Sequence, residues 1–465
     1  MQSLDRPGQD FSNPATTVTS TPNGLNGPGF DGQSPPDPSL IDACVHCGFC
    51  LSTCPSYRVL GTEMDSPRGR IYLMDAINQG QAPLATVTSQ HFDSCLGCLA
   101  CTTTCPSGVR YDRLLSQTRP QVERNVPRSP LDQAFRTLLF QVFPYPNRLR
   151  LLMPGLMLYQ RSGLRTLVRR TGLLNKIPRL AAMESILPTV PTDALIDTVP
   201  AVTSAQGYRR FRVGMFLGCV QRLMFAKVNR ATARLLSANG CEVVVPQTQG
   251  CCGALPAHQG QEEQAQAIAR ATIDAFDGQD LDYYIINAAG CGHTLKEYGD
   301  ILKEDPAYRD RAIAFAAKVR DVHEFLAEVG LKAPLQPLME DDGALAIVYQ
   351  DACHLLHGQK IANAPRQLLR QIPGVTLREP IDAALCCGSA GVYNLLQPET
   401  AEELGRQKVE NLTATGAELI ASPNPGCSLQ IQKHLEKQGK AVTVMHPVEL
   451  LDYATRGIKL TRLNH

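Results

Sequence analysis

The sequence has 465 residues, of which 43% are hydrophobic and 19% are charged, as in an ordinary globular protein. This length exceeds what a single hydrophobic core normally holds, so we expect several domains. Lysine and arginine together number 45, and aspartate and glutamate together number 44. The resulting net charge of +1 argues against a generally basic protein that binds nucleic acid.

Cysteine is the unusual component, with 17 residues in the chain. Residues 1–20 lack the apolar core of a secretion signal, which favours thiolates held by metal in a reducing compartment over a disulfide framework. The most apolar stretch, 151–159, is too short to span a membrane and is interrupted by Pro154 and Gly155. We therefore expect a cytoplasmic protein whose only membrane contact would be peripheral, on the inner face.

The first part of the chain divides into a leader and a cysteine-rich domain. Residues 1–38 are rich in small and polar residues and show no apolar periodicity, which predicts a disordered leader. Residues 39–120 are predicted to form a helical domain. Within it, Ser66 is a predicted N-cap and Pro67 the first residue of a helix that runs to about Asn78.

Two groups of four cysteines in this domain share the spacing Cys-x2-Cys-x2-Cys-x3-Cys-Pro. The groups are Cys44, Cys47, Cys50 and Cys54, and Cys95, Cys98, Cys101 and Cys105. In ferredoxins with two [4Fe–4S] clusters, the first three cysteines of such a run hold one cluster and the fourth holds the other. We therefore assign the first cluster to Cys44, Cys47, Cys50 and Cys105, and the second to Cys95, Cys98, Cys101 and Cys54. Zinc is the alternative, but four closely spaced cysteines before a proline, found twice, favour the clusters.

Two arginines of the intervening segment, Arg68 and Arg70, have two interpretations. They could bind an anionic substrate or tune a cluster. Acidic residues nearby, Glu63 and Asp65, favour ordinary salt bridges, and we adopt that interpretation.

Residues 121–208 are predicted to be a helical connector. Its segment 133–183 contains nine basic residues and no acidic one, with leucine, methionine, valine and phenylalanine between them. Such a surface can contact an anionic membrane or an acidic partner. It can equally be a solvated helical face on which arginines extend over apolar neighbours, and the sequence leaves both interpretations open.

The last part of the chain is an internal duplication, with a first repeat over 209–335 and a second over 336–465. Each repeat has a single cysteine, then Cys-Cys-Gly, then another single cysteine, at Cys219, Cys251, Cys252 and Cys291, and at Cys353, Cys386, Cys387 and Cys427. The offsets between matching cysteines are 134, 135 and 136, for 219 to 353, 252 to 387 and 291 to 427. Near-constant offsets in the same order indicate duplication.

Apolar runs before these cysteines predict short buried strands at 216–217, 284–286 and 347–349. Helical patterns lie between them at 228–239 and 262–276, so we expect α/β units with parallel sheets. Cysteines after strands would then gather at the carboxyl edge of each sheet, where such sheets place ligands. Four soft ligands in each repeat suit an iron–sulfur cluster or zinc, and a pair of structural thiols is the remaining alternative.

Other candidate ligands are given no role. Cys241 falls outside the pattern because its counterpart in the second repeat is Val375, so we interpret it as a buried core residue. Four histidines lie near the ends of the motifs: His293, His323, His354 and His446. Of these, only His323 and His446 occupy matching places in the two repeats.

Two segments carry a resemblance to a known family. The segment 44–57, CVHCGFCLSTCPSY, and the segment 65–74, DSPRGRIYLM, closely resemble the iron–sulfur subunit of glycolate oxidase (glycolate dehydrogenase). The end of the second motif, TTCPSGV at 103–109, is similar too, and the resemblance covers about residues 39–465. Iron–sulfur proteins for lactate or glycerol 3-phosphate oxidation, and heterodisulfide reductases, share the order of the motifs.

The resemblance implies an α-helical ferredoxin domain followed by a pseudo-twofold pair of α/β Cys-Cys-Gly modules. It also implies an electron-transfer subunit of a heteromeric enzyme, in which flavin-binding partners oxidise glycolate to glyoxylate. This chain would carry the electrons onward, to a membrane quinone or another acceptor, without a catalytic residue of its own. Where heterodisulfide reductases have a further cysteine in each repeat, this chain has Thr294 and Gln430, which argues against disulfide reduction.

Overall fold

The computed structural model describes residues 29–172, 174, 177–196, 199–340 and 343–461. The N-terminal domain is helical, as predicted: α1 (Pro38–Asp42), α2 (Pro55–Leu60), α3 (Pro67–Asn78), α4 (Thr86–Asp93), α5 (Ala100–Thr104) and α6 (Tyr111–Asn125). The Ser66 side chain accepts a hydrogen bond from the Gly69 N–H, which confirms the predicted cap of α3. Ile71, Met74 and Phe92 are among the residues of its core.

The predicted leader falls largely on residues 1–28, which lie outside the described part. Its remainder, 29–37, is not separate from the domain. Asp31 accepts hydrogen bonds from Gln121 (2.9 Å) and Arg124 (3.0 Å) on α6. The ordered domain therefore begins earlier than residue 39.

The connector consists of α7 (Pro130–Val142), α8 (Pro146–Arg161), α9 (Leu164–Thr171) and α10 (Pro178–Ile186), followed by a 3₁₀ turn, Thr192–Leu195. The predicted interruption at Pro154 and Gly155 is wrong, because α8 continues through both residues. Across the described ranges, no helix is both long and apolar enough to cross a membrane.

The first repeat is an α/β unit around a five-stranded sheet. Its elements are β1 (Val202–Thr203), β2 (Phe211–Met215), α11 (Val220–Met224), α12 (Ala226–Ala238), β3 (Cys241–Val244), α13 (Ala254–Ala257), α14 (Glu262–Phe276), β4 (Tyr283–Ile286), α15 (Ala289–Lys296), α16 (Tyr298–Ile301), α17 (Arg309–Lys318), β5 (Val319–Asp321) and α18 (Val322–Val329). The strand order is β1-β3-β2-β4-β5, and all pairs are parallel except β1 with β3. Strand β1 belongs to this sheet, so the sheet includes residues that precede 209.

The second repeat follows the same order of elements, and its described residues contain no counterparts of β1, α16 and α17. Its elements are β6 (Leu345–Tyr349), a π-helical turn (His354–Gly358), α19 (Asn363–Arg370), β7 (Val375–Arg378), α20 (Tyr393–Leu396), α21 (Pro398–Thr413), β8 (Leu419–Ala421), α22 (Pro425–Lys437), β9 (Thr443–Met445) and α23 (Pro447–Arg456). Its parallel sheet, β7-β6-β8-β9, matches β3-β2-β4-β5 strand for strand. The predicted duplication and the parallel α/β architecture are thus confirmed.

One predicted strand is displaced. The first strand of the first repeat ends at Met215, so Phe216 and Leu217 lie just beyond it. The Phe216 N–H still donates to the Ile285 carbonyl, at 2.9 Å. The predicted apolar run at 216–217 therefore lies beside the sheet, just after the last paired residue of β2.

The two repeats share one core. Leu235 of α12 and Leu451 of α23 belong to the same cluster of buried apolar residues. At the rim of this interface, Arg234 pairs with Asp452 at 3.0 Å. The His446 imidazole donates from Nε2 to the Asn287 carbonyl at 2.9 Å, which joins the second repeat to the first. The carboxyl edges of the two sheets are therefore held in a fixed relation.

Candidate metal centres and the cavity between the repeats

The first group of cysteines lies near the surface of the N-terminal domain. Cys44, Cys47, Cys50 and Cys105 line a common pocket, which Cys101 and Arg68 also reach. Cys47 is exposed, and the other three are partly buried. The fold thus brings the last cysteine of the second motif to the first three of the first motif.

The second group is buried. Cys54, Cys95, Cys98 and Cys101 are all shielded from solvent. Burial raises the pKa of Cys101 well above its usual range, and the charges of Cys98, Cys95 and Cys54 add to the effect. Cys54 therefore lies beside the second motif, as the crossed ligand assignment requires.

Arg70 provides positive charge next to the second group. Its side chain is buried and donates to the hydroxyls of Ser56 (3.0 Å) and Ser94 (2.8 Å). Burial raises the pKa of Cys95, but the charges of Arg70 and Arg119 outweigh it, so the pKa of this thiol is lowered. A thiolate, the form that binds iron, is stabilised at this position.

The salt-bridge interpretation of the two arginines is confirmed. Arg68 pairs with Glu63 at 2.6 Å, and Arg70 lies 3.7 Å from Asp65. Arg70 nevertheless also acts on Cys95, so the structural and the tuning interpretations hold together for this residue.

The N-terminal domain packs against the second repeat through a shared apolar cluster that includes Leu96 and Leu385, and through hydrogen bonds. His354 Nε2 donates to the Gly97 carbonyl at 2.9 Å, and the Tyr393 hydroxyl donates to the Ser94 carbonyl at 3.0 Å. Ser94 directly precedes the second cysteine motif, and Gly97 lies within it. Burial raises the pKa of Cys98, and the charge of Cys353 raises it further, more than that of any other thiol. The second cysteine group therefore lies next to the second repeat.

All eight cysteines of the repeats line one cavity of about 650 Å³. The carboxyl edges of both sheets face the same space. The cysteines that follow β2, β4, β6 and β8 therefore meet there with the two Cys-Cys pairs. The predicted gathering of cysteines at a sheet edge is found, and the two edges form a single site.

The glycine after each Cys-Cys pair has the conformation that the motif requires. Gly253 and Gly388 have φ angles of 80° and 83°, in the left-handed region. A Cβ on Gly388 would lie 2.7 Å from the Ala401 carbonyl oxygen. The tight turn that directs both thiols into the cavity therefore depends on glycine.

Six of the eight repeat cysteines are buried, and Cys251 and Cys427 receive N–H donors, as metal-bound sulfur does in proteins. Cys219 and Cys251 have their Sγ atoms 3.6 Å apart, and the Gly253 N–H donates to Cys251 Sγ at 3.4 Å. In the second repeat, Asn424 donates to Cys427 Sγ at 3.4 Å. This donor set fits an iron–sulfur cluster. Within the described residues, no group of three metal-binding side chains converges as around a single ion.

Cys241 lies apart from every group. It is fully buried in the core of the first repeat, where burial raises the pKa of its thiol to about 12. The interpretation of this residue as a small core residue is confirmed.

Three histidines form a cluster beside the cavity, and sequence analysis missed one of them. The ring of His354 lies 4.8 Å from the rings of both His258 and His293. His258 and His354 line the cavity. His258 lies five residues after Gly253 of the first Cys-Cys-Gly motif, and this nearness could have marked it as a candidate.

The connector forms the opposite wall of the cavity. Leu149, Leu152, Met153 and Leu156 of α8 face it, together with Met183 and Ile186 of α10. The arginines of the connector are largely paired: Arg136 with Asp132 at 3.1 Å, and Arg165 with Glu184 at 2.9 Å. Both acids lie just outside the segment 133–183.

Three family models match the chain. The model described as "Glycolate oxidase iron-sulfur subunit, linker region" matches residues 131–187, the "4Fe-4S dicluster domain" matches 40–109, and the "Cysteine-rich domain" matches 213–296 and 347–432. A Bacillus subtilis protein named "Probable glycolate oxidase iron-sulfur subunit" is 39% identical over 88% of this chain and 92% of its own. The chain belongs to the glycolate oxidase iron–sulfur subunit family.

Further relatives agree with this membership. The "Glycolate oxidase iron-sulfur subunit" of Escherichia coli is 37% identical over 90% of this chain and 94% of its own. A "Lactate utilization protein A" of Exiguobacterium is 30% identical, but over only 52% of this chain. Membership of the glycolate oxidase iron–sulfur subunit family thus rests on nearly the whole length, connector included.

Thr294 and Gln430 occupy the positions at which heterodisulfide reductases have a further cysteine. In this chain, both side chains make hydrogen bonds to neighbouring residues. Thr294 donates to the Gly290 carbonyl at 3.3 Å. Gln430 donates to the Ala401 carbonyl at 2.9 Å and accepts from Asn394. Both side chains stabilise the helices behind the cysteines.

Proposed function

We propose that this chain is the electron-transfer subunit of a glycolate oxidase complex. Flavin-binding partner subunits oxidise glycolate to glyoxylate, and this chain passes the electrons to an acceptor, a membrane quinone. The observation that carries the proposal is the contact of Cys98 with Cys353, which joins the two N-terminal cysteine groups to the cavity between the repeats.

Four sets of cysteines hold the clusters in this proposal. The N-terminal sets are Cys44, Cys47, Cys50 and Cys105, and Cys95, Cys98, Cys101 and Cys54. The repeat sets are Cys219, Cys251, Cys252 and Cys291, and Cys353, Cys386, Cys387 and Cys427. Iron–sulfur clusters, when bound, supply one-electron carriers whose potentials depend on burial and hydrogen bonds. We prefer clusters to zinc in the repeats because zinc has no redox chemistry.

Electrons enter at the exposed end of the N-terminal domain. Cys47 is exposed there, and the neighbouring Val45 and Phe49 are 68% and 63% exposed. Exposed apolar side chains beside a redox centre are typical of a surface that another protein covers. We assign this surface to a flavin-binding partner.

Electrons leave on the side of the connector. Leu151 and Leu158 of α8 are 81% and 69% exposed, and Leu164 and Leu167 of α9 are also exposed. Arg161 and Arg170 are exposed among them. Exposed leucines with arginines are typical of helices that lie on an anionic membrane surface, which supports peripheral contact with a membrane.

The proposal predicts that single ligand substitutions stop transfer without stopping the substrate chemistry. In the complete complex, Cys47→Ser or Cys98→Ser should reduce glycolate-dependent acceptor reduction to background, while glycolate still bleaches the flavin absorbance. Cys241→Val is the matched control, since Cys241 is buried away from every group, and it should keep the parental rate. Normal acceptor turnover in either serine variant would overturn the proposal.

A second measurement tests the substrate. Electron paramagnetic resonance of the anaerobic complex, recorded before and after glycolate and, in a separate sample, lactate, should show reduced [4Fe–4S] signals with glycolate. Signals produced by lactate alone would replace glycolate oxidation with lactate oxidation. If neither acid reduces clusters that dithionite reveals, the chain serves another donor.

A further inference from the structure

The cavity between the repeats contains more than the cysteines. Its volume of about 650 Å³ includes the space that clusters on the cysteines would fill, and it is within the range of small-molecule sites, ~300–1,000 Å³. On one side lie the cysteines of both repeats, and on the other lie the apolar side chains of α8 and α10. A molecule in this space would have redox centres on one face and hydrocarbon on the other.

Three buried polar atoms around the cavity have no hydrogen-bond partner within the described part of the chain. They are Nε2 of His258, the hydroxyl of Tyr159 and Oε1 of Gln221. All three residues line the cavity. A buried polar group left without a partner costs about 1–3 kcal/mol, so three beside one cavity favour hydrogen-bonding atoms of a ligand or of water there.

We propose that this cavity binds an isoprenoid quinone, with its ring between the cysteine sets and the helical wall. The imidazole of His258 and the hydroxyl of Tyr159 donate hydrogen bonds to the quinone oxygens. The Gln221 carbonyl oxygen accepts one from a hydroxyl of the reduced form. The inference rests on the proposed function, because that function supplies the electrons.

The electrons and protons released by glycolate oxidation equal those consumed by quinone reduction. Oxidation of glycolate to glyoxylate releases two electrons and two protons. Reduction of a quinone to its hydroquinone consumes two electrons and two protons, one of each at either carbonyl oxygen. The cysteine-held centres carry the electrons, and solvent carries the protons between the two sites.

The wall of the cavity also supplies a route for the ligand. Leu152 lines the cavity and is 53% exposed, so it lies at an opening. Its neighbour Leu151 is 81% exposed and does not line the cavity. The opening is therefore on the apolar, arginine-bearing side of the connector that we assign to the membrane, where isoprenoid quinones dissolve.

The sequence contains no tryptophan, which makes a direct binding experiment simple. We would purify the full chain anaerobically with its natural cofactors, as Leu152→Trp and as the control Leu151→Trp. A benzoquinone with a decyl tail is then titrated against tryptophan emission. Saturable quenching in the Leu152→Trp variant, with only weak unsaturable quenching in the control, is the expected result. Identical behaviour of the two variants would overturn the site.

The hydrogen-bond donors are tested in the Leu152→Trp background. His258→Leu should raise the Kd about tenfold, since a net hydrogen bond contributes about 1 kcal/mol or somewhat more. His258→Gln, which retains an N–H donor, should raise it less. Tyr159→Phe removes only a hydroxyl and provides a second test, with a similar increase, if a His258 variant does not fold. An unchanged Kd in Tyr159→Phe and His258→Leu would overturn the assignment.

Failure of this site can be distinguished from failure of the proposed function. The titration needs no glycolate and no partner subunit, so it still succeeds if the chain serves another donor. Conversely, cluster reduction by glycolate without saturable quenching would leave the proposed function standing and remove the quinone from this cavity.

Discussion

Lys408 introduces a difference between two otherwise matching sites. Ala265 and Ala401 occupy equivalent places against Gly253 and Gly388. Two turns further along each helix lie Thr272 in the first repeat and Lys408 in the second. Lys408 is buried, and the charges of Asp351, Cys387 and Cys427 oppose the effect of burial, which lowers its pKa. The second site therefore has a cation that the first site lacks at the same position.

We predict that Lys408→Met lowers the reduction potential of the second-repeat centre by roughly 60 mV, a tenfold change for one electron. The reason is that the positive charge stabilises the more negative, reduced state. Redox titration followed by electron paramagnetic resonance measures the shift.

Lys433→Met is the control for this substitution. Lys433 is also buried, but its ammonium pairs with Glu402 at 2.9 Å. The potential should change little in this variant. Equal shifts in the two variants would show that Lys408 has no specific effect.

At the residue scale, the cysteine groups were predictable and their surroundings were not. Spacing alone identified the two N-terminal groups, because four thiols must approach one cluster from a short stretch of chain. Lys408 has no local pattern, and His258 has only its nearness to Gly253. Their importance comes from contacts with residues distant in the sequence, such as His354 and Cys387.

The exposed leucines of α8 and α9 lead to a prediction about membrane binding. The parent chain should bind vesicles that contain phosphatidylglycerol, and bind them less at high salt. The double variant Leu158→Ser with Leu167→Ser should bind at least about tenfold more weakly, because each leucine loses its burial in the membrane interface. Co-sedimentation measures the bound fraction.

Ile381→Ser is the matched control, since Ile381 is 78% exposed and lies outside the connector. It should bind vesicles like the parent. Equal binding by the double variant and the parent would remove α8 and α9 from the membrane contact.

At the element scale, strong local signals located the helices and strands. The helix predicted over 262–276 has those bounds, since acidic residues begin it and its apolar period is regular. Strand β1 was missed because it has only two residues and pairs with β3, which follows much later. The charge count over 133–183 was misleading for a similar reason. Four of its arginines pair with Asp132 or Glu184, the residues directly before and after the counted segment.

His446, which lies at the interface between the repeats, makes the stability of the fold depend on pH. Burial lowers the pKa of His446 to about 3 from the usual 6.5. Its Nδ1 accepts from the Val448 N–H and its Nε2 donates to Asn287, so the folded chain holds the neutral ring. Below pH 6.5, His446 binds a proton in the unfolded chain but stays neutral in the folded chain. Stability is therefore complete above pH 6.5 and is lost progressively as the pH falls toward 3.

We expect this histidine to contribute a slope of about 1.4 kcal/mol per pH unit within that window. His446→Asn keeps a capping side chain but does not titrate. Urea unfolding between about pH 7 and about pH 5 should show a shallower loss of stability in this variant. Parallel pH profiles for the variant and the parent would contradict the assignment.

At the scale of the whole molecule, the duplication was predictable but its consequence was not. Offsets between cysteines indicate two similar units, and each unit alone predicts its own sheet edge. The single cavity depends on how α12 and α23 pack and on how the connector crosses the opening. Such packing is determined by side-chain shape across distant segments, which periodicity does not encode.

The bonds from His354 to Gly97 and from Tyr393 to Ser94 have one more consequence. They fix the second cysteine motif against the second repeat, so the distance that an electron must cross there does not vary with domain motion. Proteins that carry electrons on a swinging domain slow down in viscous solvents. Electron transfer between the second cysteine motif and the second repeat should therefore have the same rate in glycerol as in water. Turnover should be limited by docking of the partner subunits and by exchange of the acceptor.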